Sequence, residues 1–192
     1  MRRNDDGDIK LFVSSNDREE QRSENDSEII SVAKALDAQR SNGNLSKVEK
    51  IGKHLYKIVS FEDEKFKDIL GAETSASLDD KTLYEIRVLM IFTAQVTLHS
   101  VLPQILSTQA VNSMYHYIRK LHSEVYDSLI ECSSFSLYYL AIRNKVDVEG
   151  DISSTFAALC GKENDEETVL LGRKIFVEMG KYVKKLSEDI KL

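Results

Sequence analysis

Leu78–Leu106 reads LDDKTLYEIRVLMIFTAQVTLHSVLPQIL. Its opening turn carries Asp79, Asp80 and Lys81, and beyond Arg87 no Asp, Glu, Lys or Arg occurs until Arg119. Leu83, Ile86, Val88, Leu89, Met90, Ile91, Phe92, Ala94, Val96, Leu98, Val101 and Leu102 fall on every side of a helical wheel. A helix that is apolar all round lies inside a protein core or inside a membrane. The uncharged run Val88–Leu106 is long enough to be a formal transmembrane candidate. Thr93, Gln95, Thr97, His99, Ser100, Pro103 and Gln104 interrupt it, and several of them oppose insertion. No aromatic belt or basic cluster flanks the run, and mean hydropathy over the chain is −0.32. The stretch therefore reads as the buried central helix of an all-α protein, with no membrane span.

Working outward, Ser77 is the expected N-cap of this helix, with Asp79 and Asp80 in the first turn, where the helix dipole favours negative charge. Pro103 should end or kink it, because proline disfavours helix in the residue before it. Upstream, Ala72–Ala76 is a small-residue loop. Ser60 and Asp63 suggest a capping box for a short helix through Phe66, Ile69 and Leu70, closed by Gly71. Val48, Ile51, Leu55 and Ile58 recur at spacings of three and four, as in a bundle seam. Ser41-Asn42-Gly43-Asn44 separates them from an earlier helix, Glu28–Gln39, whose stripe is Ile29, Val32, Ala33 and Leu36, and Asn44 is a candidate cap.

Downstream, helices are expected from Gln104 or Thr108 to Leu121, over Glu124–Ile130 and over the aromatic Phe135–Asn144. Asp147–Asp151 reads as a loop, then Ile152–Leu159 as a short helix closed by Gly161. A long helix, Asp165–Asp189, capped by Asn164, should bury Leu171, Ile175, Met179, Tyr182 and Leu186. Residues 1–26 are too polar to offset their ordering entropy and read as a mobile, disordered arm. Its short apolar run Ile9–Val13 could serve as a strap onto a partner. The expected architecture is a single α-helical bundle domain over residues 27–192, of about six to eight helices around the central one.

Composition narrows the function classes. One proline, eight glycines and no tryptophan leave little punctuation for a strand-and-turn fold. A net charge of −6 argues against a nucleic-acid binder, which would normally show a basic stripe. Cys132 and Cys160 have no metal-knuckle spacing and read as free thiols of a cytoplasmic protein, and MRRNDDGDIKLFV lacks the apolar core of a secretory signal. The residues three before His54, His99, His116 and His122 are Ile51, Val96, Ser113 and Arg119, so the Glu-x-x-His pairs of a di-metal bundle are missing. No His-x-x-x-His, glycine-rich phosphate loop or nucleophile elbow occurs.

One constellation is left. Tyr115, His116, His99, Tyr138 and Tyr139 put polar-tipped rings on or near the most buried helices. They could line a small-molecule pocket, although amphipathic rings at a core edge account for them as well. Lys174, Lys181 and Lys185 read as a solvated helix face, and Asp127 with Glu131 as an unremarked carboxylate pair. The expectation is a non-enzymatic cytoplasmic interaction or regulatory module that acts through helix surfaces. Its partner is a protein or a second copy, and no metal or cofactor is called for. The alternative is a ligand-sensing bundle with the Tyr/His pocket. An enzyme ranks behind both.

Overall fold

A computed structural model describes residues 29–70, 78–143 and 146–189. The arm 1–26, Gly71, Ala72–Ala76 and Ser77 lie outside the described residues. The chain divides into two compact units, Met1–Asn42 and Gly43–Leu192. The first contains α1 (29–41), whose apolar stripe is open at its start, with Ile29 65% exposed.

The second unit holds α2 (Asn44–Val59), α3 (Lys65–Leu70), α4 (Asp80–Val101), α5 (Gln104–Leu121), α6 (Ser123–Glu131), α7 (Ser134–Arg143), α8 (Val148–Leu159) and α9 (Glu166–Asp189). No strand occurs among the described residues. The uncharged stretch is indeed the central element: α4 packs on α2, α5, α7, α8 and α9, and Ile86, Val88, Leu89, Met90, Ile91, Phe92 and Ala94 are fully buried. No described helix is long and apolar enough to cross a membrane. The seam on α2 holds as well, with Val48, Ile51, Leu55 and Ile58 buried against α4 or α5.

Helix ends differ from expectation where a nearby carboxylate makes the better cap. Asp79 starts α4, its carboxylate accepting from the Thr82 amide at 2.8 Å and the Thr82 hydroxyl at 2.9 Å. Asp165 rather than Asn164 caps α9, accepting from the Thr168 amide at 3.2 Å and from the Thr168 hydroxyl. The segment Val148–Asp151 is helix rather than loop, because Asp147 accepts from the Gly150 amide at 3.0 Å and starts α8 earlier. Gly43, not Asn44, occupies the N-cap position of α2.

Two corners use the same turn with different residues. Gly161, at φ 74°, closes α8: its amide reaches Ala158 O at 2.9 Å, and the Lys162 amide reaches Ala157 O at 2.8 Å. This paired pattern is the Schellman cap, which wants a left-handed residue and usually takes glycine. At the end of α2 the Phe61 amide reaches Ile58 O at 3.0 Å and the Glu62 amide reaches Lys57 O at 2.9 Å. There the left-handed position is filled by Phe61, at φ 65°. Its ring stacks on Phe66 with centroids 4.0 Å apart, and the Arg87 guanidinium sits 4.5 Å above it. Arg87 also donates to Val59 O at 3.0 Å, so the last charge before the uncharged stretch clamps this corner onto α4.

The stripe on α9 is turned from the expected one. Thr168, Gly172, Ile175, Met179, Val183 and Ser187 are buried, while Leu171, Tyr182 and Leu186 sit at the edges. Gly172 explains the rotation, since a Cβ there would stand 2.6 Å from the Phe156 ring of α8. The glycine lets the two helices close, and that contact decides which face of α9 points inward.

Candidate functional site

The described part of the second unit contains one strongly desolvated polar cluster, on the side of α4 that meets α7. Glu85 projects from α4, in the second turn after the cap, and is only 6% exposed. The Ser134 hydroxyl, at the first residue of α7, donates to its carboxylate at 3.2 and 3.4 Å. One turn along α7, Tyr138 is 0% exposed and its hydroxyl has no hydrogen-bond partner among the described residues. Burial raises the Glu85 carboxyl above its ordinary pKa, against the opposing pull of Ser134 and Lys81. Burial likewise raises Tyr138, with Glu85, Cys160 and Cys132 adding their fields. The Cys160 thiol, at the end of α8, is pushed up to about 11, chiefly by burial. Around the α4 cap, Lys162 reaches Asp79 at 2.6 Å and Thr82 at 3.1 Å, and its hydrogen bond holds the Asp79 carboxyl well below the usual carboxylate range.

Two predictions follow from this geometry. A buried hydroxyl without a partner costs about 1–3 kcal/mol. Tyr138→Phe is therefore expected to leave stability unchanged or raise it by about 1 kcal/mol in urea denaturation. A loss of comparable size would show that the hydroxyl is bonded, to a water or to a ligand. Glu85 has its pKa raised by folding, so its neutral form is favoured in the native state. Its contribution is fully present below the unfolded pKa and is lost as pH rises through the folded value. Glu85→Gln mimics the neutral acid. Its melting temperature should match the parent near pH 4 and exceed it increasingly towards pH 8. A constant difference across that range would contradict the assignment.

The five rings expected to share a pocket do not all meet. Tyr138 and Tyr139 flank Phe92, with ring centroids 5.2 and 5.1 Å from it, and Phe135 joins at 5.9 Å. Tyr115 connects to this group through Gln95, whose amide oxygen accepts from Tyr115 at 3.2 Å while its nitrogen donates to Tyr139 at 2.9 Å. His99 is exposed near the end of α4, its Nδ1 2.9 Å from Ser107 Oγ. His116 is exposed on α5 against the edge of Tyr117. The three tyrosines thus belong to one α4–α5–α7 neighbourhood, and the two histidines face solvent. Sequence reasoning missed Glu85, Ser134, Cys160 and Lys162 as a group. They come from three separate places in the chain, and no spacing announces them.

Above the cluster, the outer side of α7 and its neighbour α8 form a face poor in charge, with Asp151 of α8 in the lining of its groove. Cys132–Ile142 and Ile152–Gly161 contain no Asp, Glu, Lys or Arg in a chain that is 30% charged. Leu137 is 42% and Leu140 58% exposed. With Ala141 of α7 and Ser154, Ala158 and Leu159 of α8 they line an open groove of about 480 Å³, bordered by Asp151. The grooves along α9 are different in kind. One of about 430 Å³ lies between Thr93, Thr97, Ser100, Lys181 and Lys184, and one of about 240 Å³ beside Lys65, Asp68 and Lys185. Lys181 pairs with Glu178 at 2.8 Å, Lys65 with Asp68 at 3.6 Å, and Lys174 donates to Leu70 O at 2.9 Å. These are largely compensated charges on a solvated helix surface.

A third arrangement ties the α2–α3 corner to the junction of α5 and α6. Tyr56 donates to Glu62, and His122 Nε2 lies 3.2 Å from the same carboxylate oxygen. The Tyr56 hydrogen bond, then His122, holds the Glu62 carboxyl below its usual range. Among the described residues no group of three or more His, Cys, Asp or Glu is placed to hold a metal ion. No protein-family model, curated protein or solved structure matches the chain.

Proposed function

We propose that the protein is a non-enzymatic helical interaction module that works by docking another helical surface onto its α7–α8 face. One observation carries this reading: two leucines, Leu137 and Leu140, stand exposed beside a groove whose lining is apolar or uncharged apart from Asp151. Charge depletion around exposed apolar anchors is the compositional mark of an interface core, whereas an ordinary solvated helix carries charges on its outer side. The groove runs between two helices and offers leucine-sized and alanine-sized walls, which suits the apolar stripe of a third helix. The free thiols Cys132 and Cys160 support action in a reducing compartment such as the cytoplasm.

The test places a photo-crosslinking residue at Ser154, in the groove, and separately at Lys184, on α9. Irradiation in cells expressing the full chain should give a discrete protein adduct from position 154 and none from 184. The adduct should fade when Leu140→Glu is added. Equal labelling at both positions, or none at 154, would refute the docking face.

The orphan hydroxyl of Tyr138 favours a second reading, a ligand-sensing bundle. A small molecule with a polar group would then enter beside Glu85, Ser134 and Tyr138. Native mass spectrometry of the purified protein should show a retained mass that Tyr138→Phe reduces, and a bare polypeptide mass in the parent would remove this reading.

A further inference from the structure

We propose that Glu85 and Ser134 form a proton-controlled latch: α7 lies seated on α4 while Glu85 is neutral, and ionisation of Glu85 releases it. The latch follows from what surrounds the carboxyl. Glu85 is nearly enclosed, and its donor is a single serine hydroxyl, shared between both oxygens at 3.2 and 3.4 Å. A buried carboxylate ion needs several donors, or a cation in contact, to make up for lost water. Lys81 is the one cation that acts on it among the described residues. The Lys81 ammonium stands beside Gly161 instead, 3.2 Å from where a Cβ would lie. The other groups facing the carboxyl are Tyr84 on α4, Tyr138 on α7 and Cys160 at the end of α8. Cys132, in the link between α6 and α7, faces Tyr84 and Tyr138. Burial raises Tyr84, Tyr138 and Cys160 alike, so Glu85 loses its proton before any of the three.

Of the elements around Glu85, α7 is the one placed to yield. Ser134 is its first residue, and Cys132 and Ser133 alone join it to α6. Its inward side carries the unpartnered Tyr138 hydroxyl, so seating it already carries a desolvation penalty. Its outward side leaves Leu137 and Leu140 exposed, whereas α4 is held from α2, α5, α8 and α9 as well. Lifting the first turn of α7 brings water to the carboxylate and frees Ser134. It also dismantles the groove that Leu137 and Leu140 line with α8. The seated form favours the neutral acid, and the released form holds Glu85 in water at its ordinary pKa. Release therefore sheds a proton and grows more favourable as pH rises.

Melting registers whether Glu85 ionises, and hydrogen exchange shows which helix gives way. The full chain and its Glu85→Gln variant, which keeps the shape of the neutral acid, are compared by mass spectrometry at about pH 5 and about pH 8. Comparing two proteins at one pH cancels the chemistry of exchange and the titration of the four histidines. At the lower pH the two are expected to exchange alike over Ser134–Arg143. At the higher pH the parent should exchange there at least about threefold faster, with α2 and α5 alike in both, and one unit between seated and released pKa gives about tenfold. Ser134→Ala removes the donor to the ionised form, so its excess over the parent in α7 should be larger at the higher pH. No parent excess in α7 at the higher pH overturns the latch, as does an excess equal at both pH values or shared by α2 and α5. A Ser134→Ala excess that does not grow with pH overturns it as well.

Discussion

Replacing Phe92 by alanine is expected to cost about 3–5 kcal/mol of unfolding free energy, the range for deleting a fully buried phenylalanine. Phe92 is entirely buried on α4, and its ring meets Phe135, Tyr138 and Tyr139, all carried by α7. The short α7 helix has one face outward, with exposed leucines, so its hold on α4 depends on this aromatic cluster. The cavity would therefore lie beneath the helix least able to close over it. A urea titration with unchanged slope and a lowered midpoint would give the value. Hydrogen exchange should locate the loss in α7 before α2 or α5. A cost below about 1.5 kcal/mol would mean that α7 collapses freely onto the gap, and the cluster would no longer count as its anchor.

Gly52→Ala is expected to destabilise the protein by about 1–3 kcal/mol, although alanine gains about 1 kcal/mol in an open helix. A Cβ at Gly52 would stand 2.5 Å from Ala110 O and 2.5 Å from Ser113 Cβ. Both belong to α5, and the Ser113 hydroxyl already donates to Glu49 O of α2 at 3.0 Å. The two backbones are in direct contact here, so no side-chain rotation relieves the clash. Gly180→Ala on α9 is the internal control: its nearest neighbour would be Thr97 Oγ1 at 3.8 Å, an ordinary contact. That change should stabilise, by up to about 1 kcal/mol. Melting curves of the two variants must therefore move in opposite directions. Shifts of the same sign would refute the close approach of α2 and α5.

Periodicity revealed the helices and most of the core because apolar spacing is a local property, readable wherever the chain is regular. The all-round apolar pattern of α4, the seam Val48–Ile58 and the break at Pro103 all carry over to the structure. Details set by contact between distant residues were hidden. The rotation of α9 depends on Gly172 meeting Phe156, and no wheel drawn on α9 alone shows it. The same limit applied to the candidate site. Tyr138 could be singled out as a ring on an apolar helix, yet Glu85 looked like one more charge near a helix start. Its burial follows from Ser134, 49 residues later in sequence. Ring type likewise says nothing about which side of a helix is solvated, and both His99 and His116 lie exposed. The uncharged runs around α7 and α8 were visible as composition, but their outward leucines became apparent only when the inward side was known to be Ser134, Tyr138 and Ala141.

The two Schellman corners differ in what holds them. Glycine at position 161 adopts the left-handed turn at little cost, so the α8–α9 corner is available to a short, isolated piece of chain. Phe61 has no such freedom. Its left-handed backbone costs about 1–3 kcal/mol, which the ring contacts with Phe66 and with Arg87 of α4 offset. The α2–α3 corner therefore draws part of its support from the central helix, and losing the Arg87 guanidinium should loosen this corner while leaving the α8–α9 corner untouched.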